Sequence, residues 1–203
     1  MRFLQHRVAL LSVCAPIAVA LASCNQPSAP AATPAPAAAP APSPVDRGHM
    51  LIIGGGCHDC HTPKKIGPNG PEADMSRMLS GHPESDKITA PFKQPKGIPW
   101  TTHVNDHLTA WSGAWGVSFA ANLTPDDNTG IGIWTEETFV KAIAGGKHMG
   151  AGRAILPPMP WNWYGQLSEN DLKAMYAYLR TIPKISNRVP VPLGPDGKPI
   201  EAP

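Results

Sequence analysis

The sequence predicts an all-α fold in which a few short helices and long loops surround something large. Three observations carry that expectation. Three segments combine helix caps with apolar stripes, at 46–54, 134–146 and 168–183. The chain holds 25 Pro and 19 Gly among 203 residues, so much of it is loop or linker. Three short helices also bury too little for about 140 folded residues, so the fold needs an internal staple.

The N-terminus reads as a secretion signal. "MRFLQHR" is a basic n-region and "VALLSVCAPIAVALA" is an apolar run of 15 residues. A spanning helix needs about 20 apolar residues, so removal is expected rather than anchoring. The stretch ends in Leu21-Ala22-Ser23-Cys24. This resembles the lipobox of bacterial lipoproteins, with residues 1–23 cut away and the Cys24 thiol carrying lipid. Ordinary cleavage after Ala20-Leu21-Ala22 is the alternative, and it leaves Cys24 a lone thiol in an oxidising compartment. The expected location is therefore the bacterial periplasm, tethered to a membrane or, under the alternative, soluble there. Asn25 leans toward an outer-membrane tether.

Residues 24–44 follow as a tether, "CNQPSAPAATPAPAAAPAPSP". Small residues and prolines bury no core, and a polyproline-like chain of this length reaches up to about 60 Å. The folded domain is expected over 45–190. Its first helix has Asp46 as N-cap, an apolar block at Met50–Ile53 and a glycine stop. Residues 62–134 read mostly as loops, with one helical turn near 73–80. "WTEETFVKAIAGG" starts at Thr135 with two acidic residues and ends on glycines. "SENDLKAMYAYLRTIP" has Ser168 and Asp171 as a capping box and a stripe of Leu172, Met175, Tyr176 and Leu179. Residues 191–203 read as a Pro-rich tail.

Charge excludes one class of partner. With the first 23 residues gone, 15 basic side chains face 15 acidic ones. A neutral chain gives no basic patch for nucleic acid and no polybasic membrane surface.

The chemistry sits in "GGGCHDCHTP". Cys57-x-x-Cys60-His61 is the attachment motif for a c-type haem. Two thiols three positions apart on a tight helical turn reach one edge of a porphyrin, and the next residue brings an imidazole beneath it. One covalent haem would be the missing staple. Structural zinc would need four ligands, yet no further cysteine follows, and His58, His82, His103, His107 and His148 form no regular pair. A thioredoxin-like dithiol would need a βαβ context.

A methionine opposite the histidine would close the iron and raise its potential. Met159 in "ILPPMPW" stands between prolines that stiffen its loop. Met149, in glycine-rich "GKHMGAG", and His148 remain alternatives, whereas Met75, Met78 and Met175 read as packing. Trp134, Arg153, Trp161 and Tyr164 are candidate donors to haem propionates or other haem contacts, since buried carboxylates need partners. Asn122-Leu-Thr is formally a glycosylation sequon and is expected to be a turn into Pro125.

These motifs resemble the bacterial monohaem, class I-type c cytochromes, including cytochrome subunits of periplasmic dehydrogenases. The likeness covers most of 45–190 and rests on "CHDCHTPK", "SGHPE", "LTAWSGAWGVSFAANLTPD", "TGIGIWTEETFVKAI", "GKHMGAGRAILPPMPW" and "LSENDLKAMYAYLRTIP". It implies a small cytochrome c fold, haem c bound through Cys57 and Cys60, and His61 and Met159 as axial ligands. It also implies that the first helix crosses the last near Tyr176 and Leu179. Such relatives often carry two or three haem motifs where this chain has one, and the lipobox and tether are not part of the shared pattern.

The expected function is one-electron transfer, by a carrier or dehydrogenase subunit that is not itself an enzyme. Its partners would be redox proteins: a dehydrogenase, a quinol-oxidising complex or a terminal oxidase, with the membrane reached through Cys24. An open iron that binds gas or peroxide is the alternative, with His103 and His107 as possible distal groups.

Overall fold

The computed structural model describes residues 40–97 and 101–200. The expected signal, Cys24 and the tether up to residue 39 lie outside the described residues. Among the described residues no helix is long and apolar enough to cross a membrane.

The architecture is mixed α/β, which corrects the all-α expectation. Among the described residues, five helices accompany five strands in two antiparallel sheets. In chain order they are α1 (Pro44–Gly54), α2 (Cys57–His61), β1 (Lys64–Gly67), β2 (Gly70–Ala73), β3 (His103–Val104), β4 (Ala110–Gly113), β5 (Gly116–Phe119), α3 (Glu136–Gly145), α4 (Trp161–Tyr164) and α5 (Glu169–Leu179). The strands escaped the sequence reading for a physical reason. None exceeds four residues. Ile66 of β1 is exposed, and β5 is buried at every position, so neither shows the alternation of a half-buried strand. The turn expected near 73–80 is a single 3₁₀ turn, Met75–Arg77.

The helices lie where the caps placed them, with shifted ends. Ser43, not Asp46, caps α1: its hydroxyl accepts from the Asp46 N–H at 3.1 Å and donates to the Asp46 carboxylate at 2.6 Å. Thr135 and Ser168 cap α3 and α5 through the N–H groups of Thr138 and Asp171. The last helix stops at Leu179, before Pro183, with Arg180 as its C-cap.

α1 lies across α5. Gly48 makes this possible, because a Cβ there would sit 1.9 Å from the Ala174 carbonyl oxygen and 2.9 Å from Tyr178 Cβ. These contacts bracket Tyr176, one of the two residues near which the crossing was expected. Arg47 bonds Asp171 at 2.8 Å, and His49 stacks on Tyr178 at 4.8 Å between centroids. Beneath the crossing lies the main core, with Ile52, Leu79, Phe139, Leu172, Met175 and Leu179. A smaller core joins Ala110, Val117 and Phe119 of the three-stranded sheet to Leu193. Leu193 exchanges backbone hydrogen bonds with Val117 at 2.8 and 2.9 Å. Residues 184–193, expected to be outside or at the end of the domain, therefore form a strap packed against the sheet.

Candidate functional site

The two cores leave a cavity of about 850 Å³ between them, within the roughly 300–1,000 Å³ range of cofactor sites. The motif helix forms one wall. Gly56 starts α2 in the left-handed conformation at φ 66°, and Cys57, Cys60 and His61 all face the cavity. Positions i and i+3 of a helix share a face, so the two thiols lie on one side of this single turn.

His61 is buried and held at its far side. Its Nδ1 lies 2.8 Å from the Ala121 carbonyl oxygen. A carbonyl only accepts, so Nδ1 carries the proton and Nε2 keeps its lone pair. Burial pushes the imidazole pKa down, opposed by the bond to Ala121; the ring is a neutral donor. Burial likewise raises the Cys57 thiol to about 11 and raises Cys60.

A second part of the lining comes from residues 155–160 and from Tyr164 of α4. Met159 faces the cavity and is half-buried. Its loop is tied to the sheet by Ser118, whose hydroxyl donates to the Pro157 carbonyl at 2.5 Å and accepts from Trp115 Nε1 at 3.2 Å. Tyr164 at the end of α4 donates to the Gly55 carbonyl, next to the motif. Met175 also reaches the cavity, but from the core, at 4 % exposure. Met149 is 45 % exposed and lies outside the cavity lining, as do Met75 and Met78.

The other sequence candidates divide. Trp134 and Arg153 face the cavity. Trp134 meets His148 edge-on at 5.5 Å. Burial lowers the Arg153 pKa, and among the described residues its guanidinium bonds only the Ala154 carbonyl, at 3.2 Å. It is a desolvated cation beside the cavity. Tyr164 lines the cavity, but its hydroxyl is committed to Gly55. Trp161 is not in the wall; its indole covers Gly146. His103 and His107 are also outside, bonded to Gln94 and to the Lys64 carbonyl. His82 is fully buried between Thr109 and the Asp86 carbonyl. The sequon residue Asn122 is buried at 3 % exposure, with its side chain bonded to Thr124 and Ile185. Among the described residues no group of three or more His, Cys, Asp or Glu side chains could hold a metal ion.

Sequence reasoning missed Ser118, Ala121, Arg188 and the strap residues Val189–Pro192 that also line the cavity. None carries a motif; only the fold brings them there. The donor set nonetheless fits a covalent haem: two thiols on one helical turn, a neutral imidazole with Nε2 free, and an apolar cavity with cations beside it.

Two thiols and a neutral imidazole on one turn beside an apolar cavity would suit a covalently held flat cofactor. Comparison with known proteins agrees. The chain is 28% identical over 137 residues to the fructose dehydrogenase cytochrome subunit of Gluconobacter japonicus, covering 68% of this chain and 21% of that protein. It is 29% identical over 134 residues to the gluconate 2-dehydrogenase cytochrome c subunit of Pantoea cypripedii, covering 66% and 22%. Over 63 residues it is 40% identical to the cytochrome c subunit of the quinone alcohol dehydrogenase of Gluconobacter oxydans (strain 621H), covering 31% and 13%. Its homologues are thus cytochrome c subunits of dehydrogenases, and the chain spans about a fifth of the length of the first two. No family model matches.

Proposed function

We propose that this chain is a one-electron carrier holding a single haem c through Cys57 and Cys60, with His61 and Met159 as axial ligands. The observation that carries this reading is the pairing of His61, locked at Nδ1 by Ala121, with Met159 in the lining of one cavity. When bound, haem supplies an iron that cycles between ferric and ferrous states; the protein supplies ligands, orientation and a dry site. Cys57 and Cys60 would hold the haem through thioether bonds, and His61 would offer its Nε2 lone pair to the iron. Met159 offers a soft sulfur from a proline-stiffened loop and keeps small molecules from the second face. Arg153 offers its desolvated charge to a propionate.

The partner is a dehydrogenase. Support comes from the names of the relatives, each a cytochrome subunit of such an enzyme. The chain passes electrons onward and performs no substrate chemistry. Its location is the periplasm, with lipidated Cys24 and the Ala/Pro tether holding it to a membrane. Mass spectrometry of the N-terminal peptide tests the lipid: a diacylated Cys24 supports the tether, and a free N-terminus at residue 23 or 24 rejects it.

The axial ligands are tested by absorption spectra of the haem-loaded protein, oxidised, then reduced, then exposed to carbon monoxide. A weak far-red sulfur-to-ferric band, lost in Met159→Ala, with no carbon monoxide response in the wild type supports the His/Met carrier. No such band and ready carbon monoxide binding would reject Met159 as a stable ligand.

A further inference from the structure

The strap that begins after α5 does more than cover the cavity. Asn187 uses its whole side chain on one loop. Its Nδ2 donates to the carbonyls of Ser80 and His82 at 2.7 and 2.8 Å, and its Oδ1 accepts from the Glu84 N–H at 2.9 Å. Between those two carbonyls lies Gly81, whose N–H donates to the His61 carbonyl at 2.8 Å. Gly81 has φ 80°, and a Cβ there would stand 2.4 Å from the Ala120 oxygen and 2.6 Å from the Ala121 carbonyl. The His82 N–H then donates to Ala120 at 2.9 Å. The very next carbonyl, Ala121, receives His61 Nδ1. The strap grips the other flank as well: Asn122 Nδ2 donates to Ile185 at 2.8 Å.

We propose that Asn187 is a positioning residue for His61: acting through the Ser80–His82 loop, it fixes the Ala121 carbonyl and so sets how strongly His61 donates from Nε2. This rests on the haem reading above. The bond at one imidazole nitrogen governs the basicity of the other. A carbonyl held close draws the Nδ1 proton and enriches Nε2, which favours the ferric state. With the Asn187 donors gone, the loop carbonyls lose their anchor, the Ala121 oxygen is free to drift, and the histidine donates less.

The test uses the haem-loaded full chain with Asn187→Ala, Asn187→Asp and Leu193→Ala. Asn187→Asp keeps the side chain's shape and acceptor but not its donors. Leu193→Ala loosens the strap without touching the loop. Three quantities are read: hydrogen exchange of the Gly81 amide, hydrogen exchange of the His61 Nδ1 proton, and the reduction potential. Both Asn187 variants are expected to speed the two exchanges by about tenfold, the factor for loss of hydrogen bonds of ordinary net strength, and to raise the potential. Leu193→Ala is expected to lower the melting temperature and leave all three near wild type. If Asn187→Ala fails to fold, Asn187→Asp carries the same comparison. Wild-type exchange and potential in a haem-loaded Asn187 variant, or equal changes in Leu193→Ala, overturn the proposal alone. A wild-type chain matured without covalent haem overturns the haem reading and this proposal together.

Discussion

The two walls of the cavity are built differently. The histidine wall is a five-residue helix whose C-terminal end is tied into the chain's interior: Thr62 caps it and accepts the Leu79 N–H at 3.0 Å, Gly81 bonds the His61 carbonyl, and Ala121 takes the ring. The methionine wall is an irregular, half-exposed segment held to the sheet by the Ser118 hydroxyl and anchored downstream at Tyr164. Under the proposed function one wall would supply covalent attachment and a buried donor, and the other a weak sulfur ligand on a short loop. Loss of the first should therefore remove the cofactor, whereas loss of the second should change what the cofactor does.

The largest expected effect tests that division directly. Cys57→Ala combined with Cys60→Ala should abolish covalent haem, read by intact mass and a haem-stained gel, and leave a poorly folded chain around an empty cavity of about 850 Å³. Met159→Ala should keep the covalent haem but lose the far-red band, lower the potential and admit carbon monoxide. If the two variants behave alike, the walls are not distinct.

Gly48→Ala comes next. It forces a methyl group into the Ala174 carbonyl at the α1–α5 crossing, and overpacking of this kind costs about 1–3 kcal/mol. Thermal melting should fall while the far-red band stays. Ser118→Ala should differ in the band. It loses two hydrogen bonds, to Pro157 and from Trp115, at about 0.5–1.5 kcal/mol each, and it frees the Pro157 carbonyl, so part of the far-red band should fade and carbon monoxide should bind. Different band responses from these two variants would sharpen the contrast between a rigid wall and a tethered one.

The smallest effect concerns pH. The hydrogen bond from Arg47 holds the Asp171 carboxyl below its ordinary range. A pKa lower in the folded than in the unfolded chain gives stability that is full above the unfolded value, about 3.9, and is lost as pH falls through the folded one. Asp171→Asn should lower the melting temperature slightly near neutral pH and flatten the acid limb of stability. An unchanged acid limb would show that this exposed pair contributes nothing.

The helices were legible because their signals are local. Thr135 and Ser168 are caps next to acidic residues, and Leu172, Met175 and Leu179 repeat at helical spacing. The sheets were not, because a four-residue strand with an exposed Ile66, or one buried on both faces like β5, leaves no period to read. Local reasoning offered Trp161 as a donor to a propionate or a haem contact; the fold sets its indole over Gly146 instead of in the cavity lining.

What the sequence by itself determined is the chemistry of the motif turn. Cys57, Cys60 and His61 lie within one stretch of 5 residues, so a short helix is enough to put two thiols on one face and an imidazole beside them. It also determined that the folded region needs more interior than its helices supply. Only the tertiary structure decided which carbonyl meets His61, which hydroxyl ties down the Met159 loop, and that the Pro-rich strap lines the cavity. Those contacts join Ala121 to His61, Ser118 to Pro157, and Asn187 to Ser80 and His82. The partners are far apart along the chain and every one of these acceptors is a backbone carbonyl, whose bonding depends on where the fold brings it and not on what side chain the residue carries.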